Sequence, residues 1–204
     1  MQVRELAVPD AFVFTPRQYP DERGVFLEFF RTDALEEAVG HDLRLVQANC
    51  SVSSRGTLRG IHFADVPPSQ AKYVTCVRGA GLDVVVDIRV GSPTFGTWDA
   101  VVLDERHRRA VYVSQGLGHA FLALTDDATL LYLCSEGYAP KREHAIHPLD
   151  PDIAIDWPSD AGQPRLSKKD AAAPALADAR RLGLLPSYDD CTRLYASIRE
   201  SRHA

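Results

Sequence analysis

Six short runs of β-branched and apolar residues follow one another with little but turn residues between them: Val74 to Val77, Leu82 to Ile88, Trp98 to Leu103, Ala110 to Val113, His119 to Leu124 and Leu130 to Cys134. Such side chains fit a pleated surface better than a helix, so each run is a predicted strand. Gly79-Ala80-Gly81, Gly91-Ser92-Pro93, Gln115-Gly116 and Asp126-Asp127 are the reversal signals that separate them. Strands this closely spaced leave no length for crossover helices, which excludes alternating β and α units and predicts an antiparallel sandwich or barrel. At 204 residues and 45% hydrophobic content the chain suffices for one good core and is short for two. A single domain over residues 1–204 is expected, with the barrel core over 45–160 and a helical tail over 170–204.

Helical patterning is confined to two places. Thr32 to Val39 reads as a short helix capped by Thr32 or Asp33, plugging or flanking the barrel. From Ser167 onward the pattern turns helical, with Ala171 to Leu182 ended by Gly183 and a last segment from Tyr188 to Arg199, both expected outside the barrel. The formal net charge of -5 argues against general nucleic-acid binding, and Arg106 to Arg109 read as a solvated hairpin turn. Met1-Gln2-Val3-Arg4-Glu5 has no apolar leader pattern, and no run approaches the roughly 18 apolar residues of a membrane span, so no membrane partner and a cytoplasmic, soluble protein are expected. Cys50, Cys76, Cys134 and Cys191 are widely separated; the first three lie in strand-like runs and are read as buried thiols without a redox role.

Gly56, His62, Lys72 and Gly79 are separated by five, nine and six residues. This spacing resembles the first motif of the cupin superfamily, in which a His-x-His pair and a glutamate bind a metal inside a double-stranded β-helix, or jelly roll. Here the second histidine position is Ala64 and the glutamate position is Lys72. A methyl group cannot ligate, and an ammonium repels a cation. The second motif fits loosely at Gly116 and His119, with Ala123 at its asparagine position. His62 and His119 alone are one short of the usual three protein ligands of a catalytic metal, so no metal is expected.

What remains is an interior of Arg59, His62, Lys72, His119 and Tyr132, costly to bury without a ligand. Simple alternation sends Arg59, Ile61 and Phe63 to one face and His62 to the other, unless a bulge intervenes. Histidine takes a proton near neutral pH, lysine stabilises an oxyanion, and tyrosine returns a proton from another side. Together they suit removal of a proton beside a carbonyl and its replacement on the opposite face. A histidine base works best with a carboxylate on its other nitrogen. Asp170 is one candidate, and it could equally be an N-cap of the terminal helix.

Along nearly all its length the chain resembles the dTDP-4-dehydrorhamnose 3,5-epimerases, particularly actinobacterial members. The match rests on Asp21-Glu22-Arg23-Gly24-Val25-Phe26, Gln47-Ala48-Asn49-Cys50-Ser51, Leu58 to His62, Ala71-Lys72, Asp87-Ile88-Arg89, Ser92 to Gly96, Gly118-His119-Ala120-Phe121, Tyr138-Ala139-Pro140 and Asp156-Trp157-Pro158. The resemblance implies His62 as general base with Asp170 as its partner, Tyr132 as general acid, and Lys72 beside the C4 oxygen. It implies substrate contacts at Arg23, Phe26, Glu28, Gln47, Asn49, Arg59, His119, Tyr138, Glu143 and Lys169, with Tyr138 stacking on thymine. It further implies a dTDP-4-keto-6-deoxyhexose substrate, no cofactor, and a homodimer in which the block holding Arg23 and Phe26 completes the neighbour's pocket. Ala120 stands where the family commonly has glycine, which is expected to add a methyl near the pocket. Epimerisation at C3 alone or at C5 alone, and an inactive sugar-nucleotide-binding cupin, are the competing expectations.

Overall fold

A computed structural model describes residues 1–201. In chain order its elements are β1 (Gln2–Glu5), β2 (Ala11–Thr15), β3 (Gln18–Asp21), β4 (Gly24–Leu27), α1 (Thr32–Val39), β5 (Gln47–Ser53), β6 (Leu58–Ala64), β7 (Lys72–Arg78), β8 (Ala80–Val86), β9 (Trp98–Asp104), β10 (Ala110–Val113), β11 (Gly118–Ala123), β12 (Ala128–Cys134), β13 (Glu143–Ala145), α2 (Lys168–Ala171), α3 (Leu176–Arg181) and α4 (Tyr188–Glu200). One sheet runs β1-β2-β10-β7-β12-β5, a second runs β13-β6-β11-β8-β9, and β3-β4 form a separate hairpin. The ladders are antiparallel, and the non-sequential strand order is that of a jelly roll.

Alternation along the strands builds three apolar layers. Val74 and Cys76 from β7, Val85 from β8, Val111 and Val113 from β10, Phe121 from β11 and Leu130 from β12 point inward and meet between the sheets. Their neighbours Val84, Val86, Ala120 and Leu122 point outward and are covered by Ile153, Leu176 and Ala179 of the C-terminal segment. Tyr73 and Tyr112 face out of the other sheet onto Leu35 and Val39 of α1. Each such side chain fully removed from water contributes about 1.5–3 kcal/mol. Gly81 is required by the inner layer, because a Cβ there would lie 2.0 Å from the Phe121 ring.

The predicted strands are present with ends displaced by at most two residues: β7, β9 and β12 run longer than expected, β10 has the expected bounds, and β8 and β11 start earlier but stop at Val86 and Ala123, short of the expected Ile88 and Leu124. Helix α1 has the expected bounds and flanks the barrel, one of the two expected placements, but its N-cap is Arg31, without a side-chain cap bond. Arg31 is ion-paired with Asp33 and Glu28 instead, which occupies the acid that was expected to cap. The helix expected over 171–182 is broken: α2 stops at Ala171 and α3 starts at Leu176. Pro174 explains the break, since it supplies no N–H and disfavours helix at the residue before it. Cys50 also departs from expectation. On the edge strand β5 the odd positions 47, 49 and 51 turn inward, leaving Cys50 exposed, whereas Cys76, Cys134 and Cys191 are buried.

Candidate active site

At one end of the space between the sheets the apolar lining gives way to Arg59, His62, Lys72, His119 and Tyr132. With Ser51, Phe121 and Leu130 they line a cavity of about 150 Å³. A second, smaller recess adjoins it, lined by His62, Ala64, Gln70, Lys72, His119 and Glu143. Lys72, Tyr132 and His119 get there by simple alternation on β7, β12 and β11. Strand β6 does not alternate simply. His119 pairs with His62 but Phe121 pairs with Arg59, so three steps on β6 oppose two on β11. That bulge corrects the expected split of faces: Arg59 and His62 share the cavity while Leu58, Ile61 and Phe63 pack outward. Gly60 carries the bulge at φ +117, and a Cβ there would come within 2.6 Å of Ala120 Cβ. Ala120 accordingly faces the outer apolar layer, not the cavity, and adds no methyl to the pocket.

His62 Nε2 lies 2.7 Å from Asp170 Oδ1. Helix α2 sets this pair: the Ser167 hydroxyl accepts from the Asp170 N–H at 3.0 Å, so serine is the cap and the aspartate side chain is released to the histidine. Burial acts to raise the Asp170 pKa, but the hydrogen bond from His62 and its charge outweigh it, leaving the carboxyl below its ordinary value. With Nε2 committed to Asp170, Nδ1 is the basic nitrogen left for the cavity. His119 is held in the same way, its Nε2 2.8 Å from Asp83 Oδ2.

Burial pushes the Lys72 pKa down, opposed by Cys134, Glu143 and Asp83. Among the described residues its ammonium makes no ion pair or hydrogen bond. Burial pushes the Tyr132 phenol up, aided by Cys134 and opposed by Arg59, so the hydroxyl keeps its proton at neutral pH. Unlike Tyr73, whose hydroxyl donates to the Phe29 carbonyl at 2.7 Å, Tyr132 has no hydrogen-bond partner among the described residues. A carboxylate-paired histidine, a protonated phenol and a lysine without an ion pair among the described residues thus share one small cavity. No group of three or more His, Cys, Asp or Glu side chains among the described residues is placed to share a metal ion.

The remaining candidates lie further out. Glu143 reaches the recess from β13. At the rim Gln47 donates to Asn49 Oδ1 at 2.7 Å and accepts from the Tyr138 N–H at 2.9 Å, while the Tyr138 ring is 65% exposed. Lys169 is exposed beside Asp170. Arg23, Phe26 and Glu28 are not brought to this cavity: Arg23 pairs with Asp21, Phe26 is 67% exposed on the β3-β4 hairpin, and Glu28 pairs with Arg31. Asp83 was missed in the sequence, although an acid at an inward position of Ala80–Val86 was a usable signal. A roomier depression of about 330 Å³ lies under α1 and α4, lined by residues including His41, Arg44 and Tyr112. Its histidine is bonded to the Asp42 carbonyl and, among the described residues, lacks the carboxylate partner that His62 and His119 have in the smaller interior cavity.

A jelly roll whose interior holds a histidine–aspartate pair, a free tyrosine and a lone lysine is, as a class, a proton-transfer barrel that recruits cupin architecture for acid–base work. A family model described as dTDP-4-dehydrorhamnose 3,5-epimerase matches residues 5–178, and the chain belongs to that family. It is 56% identical to the dTDP-4-dehydrorhamnose 3,5-epimerase of Mycolicibacterium smegmatis, over 98% of each chain. The structure of the Mycobacterium tuberculosis rmlC epimerase superposes with a TM-score of 0.95 at 54% identity, covering 97% of this chain and all of that one. ChmJ, a 3'-monoepimerase from Streptomyces bikiniensis solved with dTDP-quinovose, gives 0.93 at 54% identity over 96% and 98% of the two chains.

Proposed function

We propose that this protein epimerises dTDP-4-dehydro-6-deoxy-D-glucose at C3 and C5, yielding dTDP-4-dehydro-L-rhamnose. The observation that carries the reading is the pair of proton carriers in one cavity: His62, anchored by Asp170, and Tyr132, protonated and without a hydrogen-bond partner among the described residues. His62 Nδ1 takes the proton from the carbon beside the C4 ketone. The C–H electron pair becomes the enolate double bond, and the carbonyl pair moves to the C4 oxygen, where the Lys72 ammonium offsets the charge. Tyr132 then donates its proton to the opposite face and the ketone re-forms, the imidazolium and tyrosinate resetting through solvent. The ketone supplies the acidity of both C5 and C3, so the same residues serve two rounds. Replacing His62 by alanine is expected to lower kcat by roughly 10³- to 10⁴-fold.

Arg59 and Arg23 suit the pyrophosphate, since guanidinium forks match phosphate oxygens and stay charged. Tyr138 is assigned to the thymine face, and Gln47, Asn49, His119, Glu143 and Lys169 to polar contacts along the sugar nucleotide. Tyr19, Val25 and Phe26 expose apolar surface on a hairpin detached from both sheets. In the proposed homodimer this hairpin carries Arg23, Phe26 and Glu28 into the neighbouring cavity. Mixing inactive His62→Ala with inactive Arg23→Ala protein would then restore turnover, because one site of each mixed dimer has both residues intact; no recovery after subunit exchange argues against shared sites.

A C3-only reaction is the second reading, favoured by the likeness to the monoepimerase ChmJ. Incubation with dTDP-4-dehydro-6-deoxyglucose in D2O, followed by NMR, separates the two. Deuterium at C3 and C5 supports double epimerisation, deuterium at C3 alone supports the second reading, and no exchange rejects both.

A further inference from the structure

His62 and His119 are direct cross-strand partners, and each has its Nε2 held by a buried carboxylate. The second pair is the less expected. Asp83 lies on β8 opposite Phe121, one diagonal step from His119, with Leu82, Val84 and Val85 around it. Its side chain is wholly removed from solvent, and Oδ1 has no hydrogen-bond partner among the described residues. A buried carboxylate with one oxygen unengaged is a net cost to folding that an apolar residue would avoid. Among the described residues its one side-chain hydrogen bond goes to a ring that lines the cavity.

We infer that Asp83 is a positioning residue for the epimerisation: it locks His119 in the neutral Nε2–H tautomer, which presents the Nδ1 lone pair to the cavity as an acceptor for a sugar hydroxyl. The inference rests on the epimerase reading above. In this arrangement the two histidines divide their work. His62 Nδ1 meets a C–H and removes its proton, whereas His119 Nδ1 meets an O–H and fixes the ring against His62 and Tyr132. The opposite tautomer would present a donor to a cavity already holding the Lys72 ammonium and the Arg59 guanidinium. A hydroxyl can be held by a donor too, but the cavity would then have fewer acceptors for a substrate rich in O–H donors.

Two measurements test this. The first is ¹⁵N NMR of the His119 ring in the wild-type protein without substrate, where Nε2–H with unprotonated Nδ1 is expected; a predominant Nδ1–H form overturns the inference. This readout needs no turnover, so an enzyme inert toward the sugar nucleotide would sink the epimerase reading while Asp83's effect on the tautomer is still decided. The second is a double-mutant cycle. Asp83→Asn, whose amide can donate as well as accept, is expected to lower kcat roughly 10- to 100-fold, and the same change in a His119→Ala background is expected to cost nothing more. Losses that multiply, or an Asp83→Asn enzyme within threefold of wild type, refute it.

Discussion

Two clusters of buried charge in this barrel differ in how completely they are satisfied. Around Arg89, which is fully buried, every N–H has an acceptor. Nε and Nη2 donate to the two oxygens of Asp87 at 3.0 and 2.9 Å, Nη1 to Asp10 at 2.6 Å and to the Tyr195 hydroxyl at 3.5 Å, and Nη2 also to the Pro9 carbonyl at 3.2 Å. Asp87 in turn accepts from Ser92 and Thr94 at 2.6 and 2.7 Å. The cluster ties the N-terminal segment and α4 to the barrel and leaves nothing over for a ligand. Around Lys72 the same kinds of group are left open among the described residues: the ammonium is unpaired, the Tyr132 hydroxyl is free, and Asp83 Oδ1 is unengaged. Closed polar networks hold a fold in register, whereas open ones wait for a substrate to complete them.

The contrast can be broken from either side. Arg89→Met is expected to have the larger effect, because it leaves Asp87 charged and buried without its partner. A loss of about 3–5 kcal/mol is expected, or roughly 6–20 °C in Tm for a chain of this size. Activity per folded molecule should change little. Lys72→Met is expected to do the reverse: kcat falls roughly 10²- to 10³-fold as enolate charge goes uncompensated, while Tm holds or rises because an unpaired buried cation has been removed. Calorimetry and turnover on both variants check this, and a Lys72→Met protein that melts well below wild type would erase the distinction.

The amino-acid pattern makes one half of this contrast more legible than the other. The strands around Lys72, His119 and Tyr132 obey period-2 alternation, so alternation alone gathers their inward residues into one cavity. His62 and Arg59 share it only through the Gly60 bulge, and a bulge leaves no periodic trace. Asp170 lies 108 residues from His62, and nothing local distinguishes a capping aspartate from a partner; the Ser167 cap decides what the pattern leaves even. Arg89 and Asp87 read only as one block of a family resemblance, because a buried arginine and a solvated one look alike until their acceptors, gathered from Pro9 to Tyr195, are in place. The β3-β4 hairpin is invisible to the pattern altogether: it buries almost nothing, so it lacks the alternation by which a strand announces itself.

The smallest effect concerns acid. Asp87 and Asp170 both have carboxyl pKa values held below the ordinary 3.8, in each case against the opposing influence of burial, by Arg89 with Ser92 and Thr94 for the former and chiefly by His62 for the latter. A depressed carboxylate contributes stability that is fully present above its unfolded pKa and is lost as pH falls through its folded value. Arg89 stays charged at any such pH, so the Asp87 contribution is intrinsic to the closed network. The Asp170 contribution depends on His62, the proposed base. His62→Ala should therefore move the acid-unfolding midpoint, followed by circular dichroism, to slightly higher pH, because Asp170 stays buried but loses the donor that kept it ionised. Lys72→Met should not move it in that direction. An unchanged midpoint in His62→Ala would mean that the His62–Asp170 bond serves catalysis without supporting the fold, and the open cluster would then be energetically detached from the barrel that holds it.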